Sequence, residues 1–241
     1  LRAKEIVRID RLRLVIIGAV QFGVMYACYM RAFQYLPSHL VAIFSILTPV
    51  YVVIIHDLRQ RTFSSRYLLV ALLSALGALV IKAKTISSGD FWIGFGLMQT
   101  AGIAFAYGQV AYRDWKQKNQ EVNDRTVFAL LAMGGTVCAG LACFMFSDLH
   151  TLFIQPEQWK AIIYLGFVAS GIGFFLWNKG ASKSNPGTLA AFNNAVVPLA
   201  VICSLFIFGE SSLMDTENTF RLAIGSILIA SAVYIGRGNR A

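Results

Sequence analysis

Residues 180–201 read Gly180-Ala-Ser-Lys-Ser-Asn-Pro-Gly-Thr-Leu-Ala-Ala-Phe-Asn-Asn-Ala-Val-Val-Pro-Leu-Ala-Val201. This is an apolar run rich in small residues, with Pro186 and Pro198 towards its ends and the adjacent asparagines Asn193 and Asn194 inside it. An earlier stretch is its cousin: Ala32-Phe-Gln-Tyr-Leu-Pro-Ser-His-Leu-Val-Ala-Ile-Phe-Ser-Ile-Leu-Thr-Pro-Val50. A shift of 149 positions sets Pro37 on Pro186, Leu40 on Leu189, Ala42 on Ala191 and Pro49 on Pro198, so the paired prolines stand twelve residues apart in both copies. Two prolines in register inside two hydrophobic runs read as a duplicated membrane unit.

Composition agrees with a membrane chain. Of the 241 residues 57% are hydrophobic and 14% charged, with a mean hydropathy of +0.63, whereas ordinary globular chains carry roughly 25% charged residues. The formal net charge of +9 fits cytoplasmic loops enriched in Lys and Arg. Nucleic-acid binding would need a soluble basic face, and none is present. Cys28, Cys138, Cys143 and Cys203 all fall inside apolar runs, where a thiol behaves as a small hydrophobe. No Cys or His spacing suggests a metal site, no cofactor motif occurs, and no catalytic residue is predicted. The Gly134-Gly135 pair lies within a span, and Gly94-Phe-Gly96 lacks the third glycine and preceding strand of a phosphate loop. The first thirteen residues carry five cations with no apolar core and cleavage site after them, which is not a signal peptide.

A helix needs about 20 mostly apolar residues to cross the hydrocarbon. Eight segments qualify: 14–33, 38–56, 67–83, 91–112, 126–147, 159–178, 186–208 and 219–236. Lys and Arg divide unevenly between alternate loops, sixteen of the 21 on one side. That side is predicted to be cytoplasmic, with both ends of this chain there. Under the 149-residue shift, 14–33 maps onto 159–178, 38–56 onto 186–208 and 67–83 onto 219–236. Helices 91–112 and 126–147 have no partner; theirs would lie upstream of Leu1. The expected fold is an all-α polytopic bundle, eight transmembrane helices of a parental ten. Residues 1–86 would form a first repeat lacking its first two helices, and 87–241 a complete second repeat. An odd number of helices per repeat forces the two copies into opposite senses, the inverted repeat of many secondary transporters.

These residues resemble the EamA-type members of the drug/metabolite transporter superfamily. The resemblance is carried by Leu36-Pro37-Ser38 and Asn185-Pro186-Gly187 opening the fourth helix of each repeat, by Pro49 and Pro198, by Phe208-Gly209-Glu210, and by Gly77 and Gly225 in small-residue final helices. His56-Asp57-Leu58-Arg59 departs from the pattern where a second Gly-Glu is expected. The resemblance implies a central cavity between repeats and movement of small metabolites such as amino acids out of the cell, across the inner membrane.

Polar side chains inside spans face a neighbouring helix or a wet cavity, because an unpaired polar group in hydrocarbon is costly. The candidate substrate-binding residues are Gln21, Tyr26, Ser45, Thr48, Gln99, Tyr107, Gln109, Ser170, Asn193 and Asn194, and Pro49 and Pro198 are candidate hinges. For the asparagines an interhelical packing bond competes with substrate binding. Gly166, Gly171 and Gly173 read as sites of close helix contact. No Asp or Glu occupies the middle of a visible span, so either proton coupling resides upstream of Leu1 or the protein facilitates diffusion. The expected function is secondary transport of small polar or amphipathic metabolites by alternating access, with a small-molecule substrate and the lipid bilayer as partners. Monomer and homodimer are both left open. A nucleotide-sugar exchanger, needing cavity cations for phosphate, and a non-transporting membrane protein are the rival readings.

Overall fold

A computed structural model describes residues 8–82, 91–146, 154–207 and 216–237. Helices fill all eight expected segments, and among the described residues there is no strand. Helix α1 spans 8–32 and is α-helical over Arg8–Gly18, π-helical over Ala19–Val24 and α-helical again over Met25–Ala32. Helix α2 spans 38–60, with a 3₁₀ break at Ser45–Leu47. Then come α3 (Ser65–Lys82), α4 (Phe91–Lys118) and α5 (Asp124–Phe146). Helix α6 spans 156–183 with a π-helical segment at Tyr164–Gly173, followed by α7 (Pro186–Ile207) and α8 (Thr216–Gly236). Among the described residues five helical stretches are long and apolar enough to cross a membrane: Asp10–Ala32, Leu40–Gln60, Asp124–Phe146, Pro156–Lys183 and Thr219–Gly236. Phe208-Gly209-Glu210 and the chain ends at 1–7 and 238–241 lie outside the described residues.

The chain forms two compact units. One comprises 1–27 and 107–183, the other 28–106 and 184–241. In the first unit α1 packs against α5 through glycines. A Cβ on Gly18 would lie 2.0 Å from the Leu131 carbonyl oxygen, and one on Gly134 1.9 Å from the Val15 carbonyl oxygen. Gly23 faces the Cys138 side chain and Gly135 the Phe22 side chain in the same way. Small residues let helix backbones approach within van der Waals distance, which is what associates helices where no hydrophobic effect acts. Gly166, Gly171 and Gly173 do not play this part. Nothing lies within 4 Å of a Cβ on Gly166, and those on Gly171 and Gly173 would meet only carbonyls of their own π segment. Apolar context alone does not say which glycine faces a helix.

In the second unit α3 lies along α8, and Gly77 and Gly225 meet: a Cβ on either would come within 2.8 Å of the other's carbonyl oxygen. The Asn-Pro-Gly opening of α7 has a local reason for each residue. Asn185 Oδ1 accepts the Thr188 backbone N–H at 2.7 Å, the N-cap role asparagine fills well. Pro186 sits where a missing N–H costs nothing, Gly187 lets the Tyr67 ring approach, and Gly236, lacking a Cβ of its own, lies against the Gly187 backbone. At the far end of α2, Arg61 takes a left-handed conformation (φ 53°). The Asp57 carboxylate accepts the Ser64 N–H at 2.7 Å and turns the chain into α3.

The paired prolines behave differently. Pro198 lies inside an uninterrupted helix, but Pro49 follows the 3₁₀ break, at the second residue of the helical segment Thr48–Gln60. Proline deprives the carbonyl four residues earlier of its donor, here Ser45. The 3₁₀ turn instead gives that carbonyl the Thr48 backbone N–H, and the Thr48 hydroxyl donates to it as well at 2.7 Å.

Candidate functional site

The predicted polar residues divide between the units. Gln21, Tyr26, Tyr107, Gln109 and Ser170 belong to the first; Ser45, Thr48, Gln99, Asn193 and Asn194 to the second.

In the first unit, α1 and α6 are joined twice. The Tyr26 hydroxyl and Ser170 Oγ lie 2.9 Å apart in a hydrogen bond, and Gln21 Nε2 donates to Asn178 Oδ1 at 3.0 Å. Gln21 and Asn178 are 0% and 1% exposed. Gly108 of α4 packs directly on the Gln21 side chain, so a Cβ there would overlap it. Gln109 is fully buried beside it in sequence, and Tyr107 half-buried. The first pair stands at a cavity of about 170 Å³ walled by Phe22, Tyr26, Phe128, Thr136, Ser170 and Phe174. Phe22 stacks on Phe174 with ring centroids 4.9 Å apart. Phe128 meets Phe22 edge-on, and Tyr26 meets Phe174 the same way. An aromatic wall with one hydroxyl pair suits a small amphipathic molecule with a compact ring. Both helices are π-helical here. Such segments carry an extra residue per turn and recur at functional sites.

Two atoms of the deeper pair remain unmatched: Gln21 Oε1 and Asn178 Nδ2 are sealed from solvent without a hydrogen-bond partner. An orphaned buried polar group costs about 1–3 kcal/mol.

In the second unit, Asn194 is 2% exposed, and its Nδ2 donates to the Ile46 carbonyl at 3.1 Å, in the 3₁₀ break of α2. Asn193 turns back on its own helix, Nδ2 donating to the Leu189 carbonyl at 2.9 Å. Asn194 therefore bridges α7 to α2. Ser45 Oγ likewise donates to the Ala42 carbonyl. The Tyr51 hydroxyl donates to Gln99 Oε1, and Gln99 Nε2 is buried without a partner. Gly102, one turn along α4, leaves room for the Tyr51 ring and the Thr48 hydroxyl. Asn178, Tyr51 and the Phe22–Phe174 stack are not among the predicted residues. Asn178 lies 157 positions from its partner, too far for any local pattern to pair them. Among the described residues no cluster of three or more His, Cys, Asp or Glu could hold a metal ion.

The profile of the EamA-like transporter family matches residues 2–83 and 87–235. The chain belongs to the EamA-like transporter family. Among its relatives, a protein named "Probable biotin transporter" from Pseudomonas aeruginosa is 35% identical over 94% of this chain and 77% of its own length. The "Biotin transporter" of Escherichia coli K12 is 32% identical over 92% of this chain and 73% of its own. The protein of that name from Salmonella typhimurium is 34% identical over the same shares. A crystal structure titled only as that of a protein superposes with a TM-score of 0.71 at 16% identity, over 93% of this chain and 78% of the other; that likeness is one of fold. This EamA-like protein is a multi-pass membrane transporter of a small molecule.

Proposed function

We propose that this EamA-like transporter carries biotin, or a molecule sharing biotin's ring system, across the inner membrane by alternating access. The observation that carries the reading is the identity of 32–35% along more than nine-tenths of the chain to three relatives named for biotin. Biotin replaces the amino acids expected from the wider family because no relative reported above is named for them. Its chemistry suits the first unit: a compact bicycle for the Phe22, Phe128 and Phe174 wall, and polar edges for the Tyr26–Ser170 pair.

The inverted repeat, 1–86 against 87–241, is part of the same proposal, with both ends of the chain in the cytoplasm. Two observations support it. The 149-residue shift carries the π segment Ala19–Val24 onto 168–173, inside the π segment Tyr164–Gly173. Each pair of helices matched by that shift is in contact within its own unit: α1 with α6, α2 with α7 and α3 with α8. Equivalent helices meeting one another is what a two-fold relation between copies produces.

The test is entry and exit of tritiated biotin in proteoliposomes holding the purified protein. Saturable movement, competed by unlabelled biotin and indifferent to excess amino acids, is the expected result. Movement no faster than in empty liposomes would overturn the reading. Repeating the assay with an imposed pH gradient separates proton-coupled accumulation from facilitated diffusion.

A further inference from the structure

The buried amide pair of Gln21 and Asn178 is more than a strut between α1 and α6. Two primary amides can satisfy each other with two parallel bonds, but here a single bond forms, Gln21 Nε2 to Asn178 Oδ1 at 3.0 Å. The second oxygen and second nitrogen, Gln21 Oε1 and Asn178 Nδ2, are left without partners in side chains 0% and 1% exposed. Exchanging N and O in both amides changes nothing essential, because one acceptor and one donor still remain. Each unpaired atom shares a carbon with a bonded one, so the free acceptor and free donor flank the same hydrogen bond. Membrane interiors select against such orphans unless something pairs with them.

A cyclic urea supplies the complement. Its ring places an N–H donor next to a C=O acceptor on one rigid edge, matching one free acceptor and one free donor at once. We propose that Gln21 and Asn178 together read the ureido edge of the transported molecule, while the ring system lies against the aromatic wall. The wall is adjacent in sequence and joins the same two helices: Phe22 follows Gln21, Phe174 stands one turn before Asn178, and the two rings stack on each other. Gln21 lies within the π-helical segment Ala19–Val24, and Asn178 follows the π-helical segment Tyr164–Gly173 by about one turn; the looser backbone bonding of such segments eases the parting of α1 from α6 that admits a substrate. Gly108 holds the Gln21 side chain in place, since any larger residue would collide with it. The inference depends on the biotin reading, because the cyclic urea is that substrate's distinguishing group.

Binding of tritiated biotin to the full-length purified protein, with competitors, separates the two ideas. No binding by the unaltered protein would overturn the biotin reading. If biotin binds, biotin methylated at a ureido nitrogen should compete roughly 10- to 100-fold more weakly, the range expected when a buried amide loses its partner. Equal competition by the methylated compound would overturn the present inference alone, and it requires no variant to fold. The double variant Gln21→Met/Asn178→Leu removes both amides while keeping shape, so a merely structural role predicts unchanged or higher thermal stability with biotin affinity intact. Our expectation is retained stability with affinity lowered by a similar factor. Intact affinity in the double variant would overturn it as surely as the competitor result.

Discussion

Single residues in this protein are explained by where each backbone or amide group finds its partner. Asn193 and Asn194 are neighbours of identical chemistry with different work: Asn194 reaches the Ile46 carbonyl of α2, and Asn193 donates to a carbonyl one turn back in its own helix. Asn194→Ala would leave the Ile46 carbonyl without its side-chain donor and lose a bridge between helices. It should lower stability by about 1–3 kcal/mol. Thermal unfolding in detergent measures the loss, and an unchanged melting temperature would mean the bridge contributes nothing. Thr48→Val makes a related test at constant shape. It removes the second donor, beside the Thr48 backbone N–H, to the Ser45 carbonyl and should cost on the order of 1 kcal/mol or less.

Elements are held by where glycines stand. The α1–α5 pairing works only while Gly18 and Gly134 carry no Cβ, because the facing atoms are backbone and cannot swing aside. Gly134→Ala should therefore destabilise by about 1–3 kcal/mol or more. Gly140, six residues on in the same helix, meets open space. There, Gly140→Ala should raise stability by about 0.5–1 kcal/mol through the ordinary helical preference for alanine. Opposite signs in one melting experiment are the expected outcome; two neutral results would mean the helices are not in contact. Eight helical segments were readable from apolar run lengths, and among the described residues five stretches meet the length and apolarity that crossing the hydrocarbon demands. Gly166, Gly171 and Gly173 misled, since a glycine's neighbours lie on another helix and leave no mark in its own.

For the whole molecule, orientation and cargo are the open properties. With the native cysteines replaced, Gln120→Cys in the α4–α5 turn should react with a membrane-impermeant thiol reagent only from the cytoplasmic face. Gln155→Cys, before α6, should react only from the other. The reverse pattern would invert the topology drawn from the Lys and Arg distribution. At the cavity, Tyr26→Phe and Ser170→Ala each break the hydroxyl pair without changing the aromatic wall. Each should weaken biotin transport by about 2- to 10-fold, and a transport rate unchanged in both would move the site elsewhere.

The amino-acid sequence by itself determined the membrane class, the eight helical segments and the family, because these follow from composition, run length and motifs along one chain. Gln21, Tyr26 and Ser170 were legible as polar intrusions in apolar spans, since an exposed amide or hydroxyl in hydrocarbon demands a partner. Only the tertiary structure decided which partner. It put Asn178 against Gln21 across 157 positions, turned Asn193 and Asn194 to different tasks, and made Phe22 and Phe174 a wall rather than lipid-facing bulk. The reason is physical: periodicity fixes which residues share a helix face, but the rotation of one helix against another is set by side chains distant in the chain, and above all by which glycines let two backbones touch.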